Sequence, residues 1–260
     1  MPNDFRVPLW LLKLGVVVNL YLIAGTLEIA TPDLHVVVPA LILICVSVFR
    51  CLFPNRYVDN VVFHDTPLSS IFLTRVLATF SEVAYIYEFS HVVRVLDVDH
   101  TGWVTALSWL MVAQVVVSQG FVWGAILTRR LDLYFYEELG WFVIFVANTV
   151  ASAFLYSGLA PTDGGVGLLQ LNLAFGLIYL PWQTLHLRSL RAEAADDAEQ
   201  PDSVAGVPWQ EGLRDAISQR NRRIDAASWG GAIGLTWMVA YWASLIPLWV
   251  HHVAVVVSAR

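Results

Sequence analysis

The sequence predicts an all-α integral membrane protein, a bundle of seven transmembrane helices, and three observations lead to this fold class. Of its 260 residues, 57% are hydrophobic and 14% are charged, whereas about a quarter of a typical soluble domain is charged. Seven segments are long and apolar enough to cross a bilayer, which takes about 20 residues. Much of the charge lies elsewhere, with 14 charged residues between positions 188 and 225. We therefore expect a single membrane domain over residues 1–260.

The seven segments follow one another along the chain and are separated by turn-forming residues. They cover approximately residues 7–30, 34–53, 68–96, 103–127, 133–159, 166–187 and 226–253. The connections contain proline, asparagine, aspartate or glycine, which end helices and form turns. The first segment is not followed by a small-residue cleavage pattern, so we expect it to be a retained helix.

The polar loop at 188–225 has a second part with its own pattern. Within residues 208–224, apolar side chains recur at helical spacing beside several arginines; they are Trp209, Leu213, Ile217 and Ile224. This pattern predicts an amphipathic helix that lies at the headgroup level before the seventh segment. A solvated connector whose apolar side packs on the bundle fits the same spacing.

The distribution of basic residues predicts the orientation in the membrane. With seven helices, the face that holds the N-terminus carries every basic residue except Arg94 and Arg260. Lys and Arg in short loops stay on the cytoplasmic side. We expect a multi-pass protein of the inner (plasma) membrane, with its N-terminus in the cytoplasm and its C-terminus outside. The only lysine, Lys13, lies in the first segment, which argues against a retinal protein.

The third segment concentrates the ionisable residues. It contains Arg75, Glu82, Glu88, His91 and Arg94, and each such side chain within a span costs a few kcal/mol, so it needs a partner or a function. At 100° per residue, Arg75 and Glu82 share one face of the helix, whereas Glu88 and His91 point away from it. We expect this helix near the centre of the bundle.

Polar and aromatic residues in the other segments complete the set of candidate site residues. Carboxylates at the start of the fifth segment are candidate catalytic groups, and the remaining residues are candidates for binding a substrate. They are Glu137 and Glu138, then Tyr85, Gln114, Gln119, Trp141, Asn148, Gln183, His186, Trp237 and Tyr241.

A metal site has one weak indication. Glu88-Phe89-Ser90-His91 has the Glu-x-x-His spacing of di-iron and di-manganese helix bundles. The other possible ligands, Glu137 and His186, lie near the cytoplasmic ends of their segments, about 20 Å away in depth at 1.5 Å per residue. We therefore predict no cofactor, with Glu88 and His91 as the only metal candidates. A net charge of −6 without a basic stripe argues against a nucleic-acid partner.

Membrane lipids and a lipophilic small molecule are the expected partners, and an enzyme is the favoured function. Carboxylates in an apolar cavity can act as acid or base, a role expected for Glu82 with Glu137 or Glu138. Arg75 and His186 could hold an anionic head, and aromatic faces could stabilise a cation. The architecture is similar in outline to the integral membrane terpene cyclases of meroterpenoid pathways. That likeness of architecture implies a proton-initiated reaction on an isoprenoid, of the lyase or isomerase type.

Other functions remain open at this point. Glu138, Glu82 and the Glu88–His91 pair could form a relay in a proton- or ion-coupled transporter or channel. A di-metal oxidoreductase would use the Glu-x-x-His spacing. In a receptor or scaffold, an Arg75–Glu82 pair would only lock the bundle, because paired buried charges need not have a function.

Overall fold

The computed structural model describes residues 4–159, 164–199 and 206–260. It is 80% helical, so the all-α prediction is confirmed. The α-helices are α1 (Arg6–Leu11), α2 (Leu14–Leu27), α3 (Leu34–Leu52), α4 (Ile71–Leu96), α5 (Gly102–Thr128), α6 (Asp132–Gly158), α7 (Val166–Glu199), α8 (Trp209–Ser218), α9 (Gly231–Met238) and α10 (Leu245–Ser258).

Within the described residues, five helical stretches are long and apolar enough to cross a membrane. They are Arg6–Leu27, Leu34–Leu52, Gly102–Thr128, Asp132–Gly158 and Gly231–Ser258. The other two predicted segments are also helical, as α4 and α7, but α4 carries two arginines and two glutamates and α7 continues into polar sequence. Several apolar helices thus support a membrane-embedded protein, while seven crossings remain a prediction.

The chain forms two compact units. The first unit comprises Met1–Tyr85 and Leu213–Ala259, and the second comprises Ile86–Gly212 with Arg260. The boundary between them falls within α4, after Tyr85.

In the first unit, α2, α3 and α10 pack against one another. Gly15 on α2 permits a close approach, since a Cβ at this position would lie 2.5 Å from Ala243 Cβ, just before α10, and 2.8 Å from Cys51 Sγ on α3. Small residues at such contacts let membrane helices approach closely. The core here is lined by buried leucine, isoleucine and valine side chains such as Leu22, Leu43 and Val250.

The last predicted segment is interrupted rather than continuous. Between α9 and α10 the chain forms a π-helical turn, Val239–Ala243, and Ser244 then leaves helical geometry at φ −146° and ψ −85°. The amide of Asn19 on α2 donates to the Trp242 carbonyl at 2.8 Å, which satisfies a backbone group at the interruption. Pro247, in the first turn of α10, has no N–H to donate to the Ala243 carbonyl, which accounts for the position of the break.

Three two-residue strands lie outside the helices of the first unit. Strand β1 (Asn55–Arg56) pairs antiparallel with β2 (Val61–Val62), and β2 pairs in parallel with β3 (Asn221–Arg222). The predicted amphipathic helix at 208–224 is therefore too long. It ends as α8 at Ser218, because Asn221 and Arg222 bond to β2 instead of continuing the helix. Trp209 and Ile217 on α8 are exposed.

The prediction of a loop from residue 188 is also corrected. Helix α7 continues to Glu199, through a stretch of the sequence that is rich in alanine, the residue with the highest helix propensity. Within the second unit, α5, α6 and α7 pack in chain order, each against the next. Gly140 and Gly176 on α6 and α7 face Ser118 and Thr149 so closely that neither position has room for a Cβ.

Candidate functional site

A buried cluster of charged and aromatic residues lies in the first unit. We call it the arginine cluster and define it as Arg50, Asn55, Tyr57, Arg75 and Glu82. Arg50 is in the last turn of α3, Asn55 is in β1, Tyr57 follows β1, and Arg75 and Glu82 are on α4. The short connection from α3 to β1 returns Asn55 to a position beside Arg50.

Arg75 and Glu82 form an ion pair inside the protein. They are seven residues apart on α4, so two helical turns place them on one face. Arg75 Nη2 lies 2.6 Å from Glu82 Oε2, and Nη1 lies 3.3 Å from Oε1. The side chains are 1% and 9% exposed. Such a two-pronged guanidinium–carboxylate contact is among the strongest hydrogen-bonded pairs in proteins.

Arg50 is held by an amide rather than by a carboxylate. Its Nη1 donates to Asn55 Oδ1 at 2.5 Å and its Nη2 to the Asn55 carbonyl at 3.3 Å. The Asn55 amide nitrogen in turn donates to the Ser69 carbonyl at 3.0 Å and to Thr74 Oγ1 at 2.6 Å. Arg50 is 7% exposed. Its buried Nε has no hydrogen-bond acceptor among the described residues.

Aromatic rings line both guanidinium groups. The Tyr57 ring centre is 5.5 Å from the Cζ atoms of both Arg50 and Arg75, and the Trp242 ring centre is 5.1 Å from Arg50 Cζ. These distances are in the range of cation–π attraction.

The aromatic set extends along the same unit from Trp242. Tyr241 and Trp242 are 4.4 Å apart between ring centres, and Tyr241 is 5.7 Å from Trp237 and 6.0 Å from Tyr85. Five of the predicted site residues thus lie in the first unit: Arg75, Glu82, Tyr85, Trp237 and Tyr241.

The other ten predicted site residues belong to the second unit, where several of them meet. Gln183 on α7 donates through Nε2 to Glu138 Oε2 at 2.7 Å and to the Glu138 carbonyl at 2.9 Å. His186, one turn later, has its Nε2 4.0 Å from Glu138 Oε1. Trp141 stacks on Phe145, with ring centres 6.2 Å apart. The Glu138–Gln183–His186 group thus joins a carboxylate of α6 to two polar side chains of α7.

Glu88 is a buried carboxyl group of the second unit. It is 0% exposed, and neither carboxylate oxygen has a hydrogen-bond partner among the described residues. Asn148 on α6 is also 0% exposed, and both polar atoms of its side chain lack partners in the same part of the chain. Phe89 contacts Phe145 with ring centres 5.6 Å apart, so α4 and α6 are neighbours here.

The remaining predicted residues of the second unit are more scattered. His91 stacks on Tyr87 with ring centres 6.3 Å apart, and Gln114 donates to Ser118 Oγ at 3.4 Å. Gln119 and Glu137 are buried. In the described parts of the chain, no three His, Cys, Asp or Glu side chains come together as a metal site.

His64 and Asp65, adjacent in the sequence, do not act as a pair. Asp65 Oδ1 accepts instead from Arg220 Nε at 2.9 Å. Burial lowers the pKa of His64, and the positive charges of Lys13 and Arg222 lower it further. The imidazole is therefore a neutral packing group that lies against Phe63, with ring centres 4.5 Å apart.

Sequence reasoning missed Arg50, Asn55 and Tyr57. An arginine in the last turn of a spanning helix is explained by the orientation rule alone, so nothing in the sequence pattern marked Arg50 as buried. No protein-family model, no curated protein and no solved structure matches the chain.

Proposed function

We propose that this chain is a multi-pass membrane enzyme of seven helices that acts on a lipophilic substrate taken from the bilayer. The proposal includes the predicted orientation, with a cytoplasmic N-terminus in the inner (plasma) membrane. The reaction is acid/base chemistry, and the most concrete form is a proton-initiated cyclisation or isomerisation of an isoprenoid.

The observation that carries the proposal is the arginine cluster. Burying charge inside an apolar bundle is costly, and a cluster that served only as a lock would need balanced charges. Here two guanidinium groups, those of Arg50 and Arg75, are buried beside the Tyr57 ring, and the Glu82 carboxylate pairs with Arg75. Glu82 is the carboxyl group of this cluster, and its side chain is 9% exposed, so a proton transfer at this group would take place away from bulk water.

Proton-initiated chemistry needs a group that donates a proton and a group that then accepts one. We assign both steps to the carboxyl group of the arginine cluster, that of Glu82. In the reaction, an acid O–H delivers its proton to a substrate double bond and leaves a carbocation. A base then removes a proton from a neighbouring carbon, and a new double bond forms.

The test measures whether deuterium from the solvent is incorporated into a product. Full-length protein in nanodiscs is incubated in D₂O with a panel of isoprenoid alcohols, diphosphates and quinones, and the extracted lipids are analysed by mass spectrometry. We expect an isomer of one panel member that carries a single deuterium on carbon. Glu82→Gln should abolish it, whereas Glu28→Gln, at an exposed position, should not. Full activity of Glu82→Gln would refute the acid/base assignment.

A proton- or ion-coupled transporter is the second candidate, and Glu88 is the observation that favours it. A buried carboxylate without a partner can take up and release a proton during transport. In proteoliposomes that contain a pH-sensitive dye, this function predicts proton flux that Glu88→Gln eliminates and Glu28→Gln leaves unchanged. Absence of flux in the unmodified protein, under gradients of either sign, would exclude it.

A further inference from the structure

We infer that Arg50 is a binding site for a phosphate group, the head of a membrane amphiphile. This inference names the class of substrate for the proposed function. Only the conversion of the bound lipid into a product rests on that function. The binding itself involves no turnover.

Charge balance is the first argument. Within the arginine cluster, Arg50 and Arg75 contribute two positive charges and Glu82 one negative charge. Glu82 is engaged by both terminal nitrogens of Arg75. Among the described residues, Arg50 forms hydrogen bonds only with neutral groups of Asn55. Cation–π contacts with Tyr57 and Trp242 offset part of the cost of burying this cation. An anion would supply the missing balance.

Unused hydrogen-bond donors are the second argument. Arg50 Nε is buried and has no acceptor in the described chain, and the same holds for the hydroxyl of Ser47. Ser47 precedes Arg50 by three residues on α3, and residues three apart lie on one face of a helix. A guanidinium edge beside a hydroxyl group offers several donors and no acceptor of the opposite charge. That is the recognition chemistry of a phosphate oxyanion.

The position of Arg50 in the chain indicates that the phosphate belongs to a lipid. Arg50 lies two residues before the end of α3, the candidate span Leu34–Leu52, so its guanidinium is at the level where a span ends and lipid headgroups begin. Tyr57, the half-buried member of the arginine cluster, is its accessible edge. An amphiphile in the same leaflet reaches this edge with its phosphate at the correct depth and its chain still in the bilayer.

Calorimetric titration tests the site on the full-length protein in dodecyl maltoside, a neutral detergent that already saturates apolar surfaces. The probes are dodecyl phosphate and inorganic phosphate. We expect saturable binding of dodecyl phosphate that Arg50→Gln weakens at least about tenfold, as the loss of a charge-assisted hydrogen bond implies. The matched control is Arg56→Gln. Arg56 lies in β1, six residues after Arg50, and its Nη1 donates to the Ser228 carbonyl. This control substitution should change the affinity by less than about twofold.

The two probes separate a lipid from a free anion. Binding of dodecyl phosphate alone supports a lipid headgroup, and equal binding of inorganic phosphate through Arg50 overturns the lipid source. An affinity that Arg50→Gln does not change overturns the site. If Arg50→Gln does not fold, Arg50→Lys replaces it, because lysine keeps the charge and loses the Nε–H; unchanged affinity then refutes the guanidinium geometry. Failure of the D₂O experiment leaves these titrations unaffected, so the site and the enzyme proposal fail separately.

Discussion

The Arg75–Glu82 pair gives the strongest prediction about stability. Glu82→Gln leaves the Arg75 guanidinium 1% exposed and without its carboxylate. Removal of one partner from a buried ion pair costs about 3–5 kcal/mol, because the remaining charge stays desolvated. The free energy of unfolding should fall by that amount, which is a large part of a typical domain's stability.

Replacement of both partners should behave differently. In Arg75→Met with Glu82→Leu, no charge remains buried and the side chains keep a similar volume, so we expect a change of about 1 kcal/mol or less. The double variant should therefore be more stable than Glu82→Gln alone. It also separates chemistry from folding, since the acid/base proposal expects it to be folded and inactive.

Equilibrium unfolding with mixed micelles of sodium dodecyl sulfate and dodecyl maltoside measures these differences. Arg130 and Asp132 provide the control, because their N–O distance is also 2.6 Å while their side chains are 52% and 42% exposed. Asp132→Asn should have an effect too small to resolve, as is usual for surface pairs. Equal losses for Glu82→Gln and Asp132→Asn would refute the argument that burial, rather than distance, determines the energy.

Three further predictions concern single contacts, each checked by unfolding of the purified protein. Gly15→Ala should cost about 1–3 kcal/mol, because its Cβ would overpack against Ala243, whereas Gly120→Ala, with nothing within 4 Å, should be neutral. Asn19→Leu should cost about 1–3 kcal/mol, because the Trp242 carbonyl would keep only the long contact from Cys51 Sγ at 3.5 Å among the described residues; no loss would mean that the thiol or water replaces the amide. The Ser228 backbone N–H and hydroxyl hold the pKa of Asp225 below its usual value. The resulting stabilisation is present above the unfolded-state pKa of about 3.9 and is lost as pH falls through the lower folded-state value. Asp225→Asn should remove that dependence.

The helices could be predicted because apolar run length is a local property of the chain. Each of the seven predicted segments contains a helix, and α3, α5 and α6 begin and end within about a residue of prediction. The interruption of the last segment was missed, although Pro247 was visible in the sequence. The interrupted backbone is satisfied at the Trp242 carbonyl by Asn19, which lies 223 residues away in the sequence. A contact at such a separation leaves no periodic signal.

The candidate site could be predicted only where its residues share a helix. Arg75 and Glu82 were placed on one face of α4 from their spacing, and the structure pairs them. Arg50 and Tyr57 were not found, because their burial depends on how α3, β1 and α4 come together. In the same way, β3 was predicted as helix, since its pairing with β2 joins segments about 160 residues apart.

The excess positive charge of the arginine cluster leads to a last prediction, in which ligand and stability are linked. Without an anion, the Arg50 charge is desolvated and, among the described residues, is supported only by neutral groups, so Arg50→Gln should leave the free energy of unfolding nearly unchanged. With dodecyl phosphate at about 100 times its Kd for the unmodified protein, that protein should gain about 2.7 kcal/mol, and Arg50→Gln, with a Kd at least about tenfold higher, should gain no more than about 1.4 kcal/mol. Thermal unfolding with and without the ligand measures both differences. Equal gains in the two proteins would mean that dodecyl phosphate binds elsewhere. A large loss for Arg50→Gln without ligand would mean that Arg50 holds the fold by itself, with Asn55 and the two rings as sufficient partners.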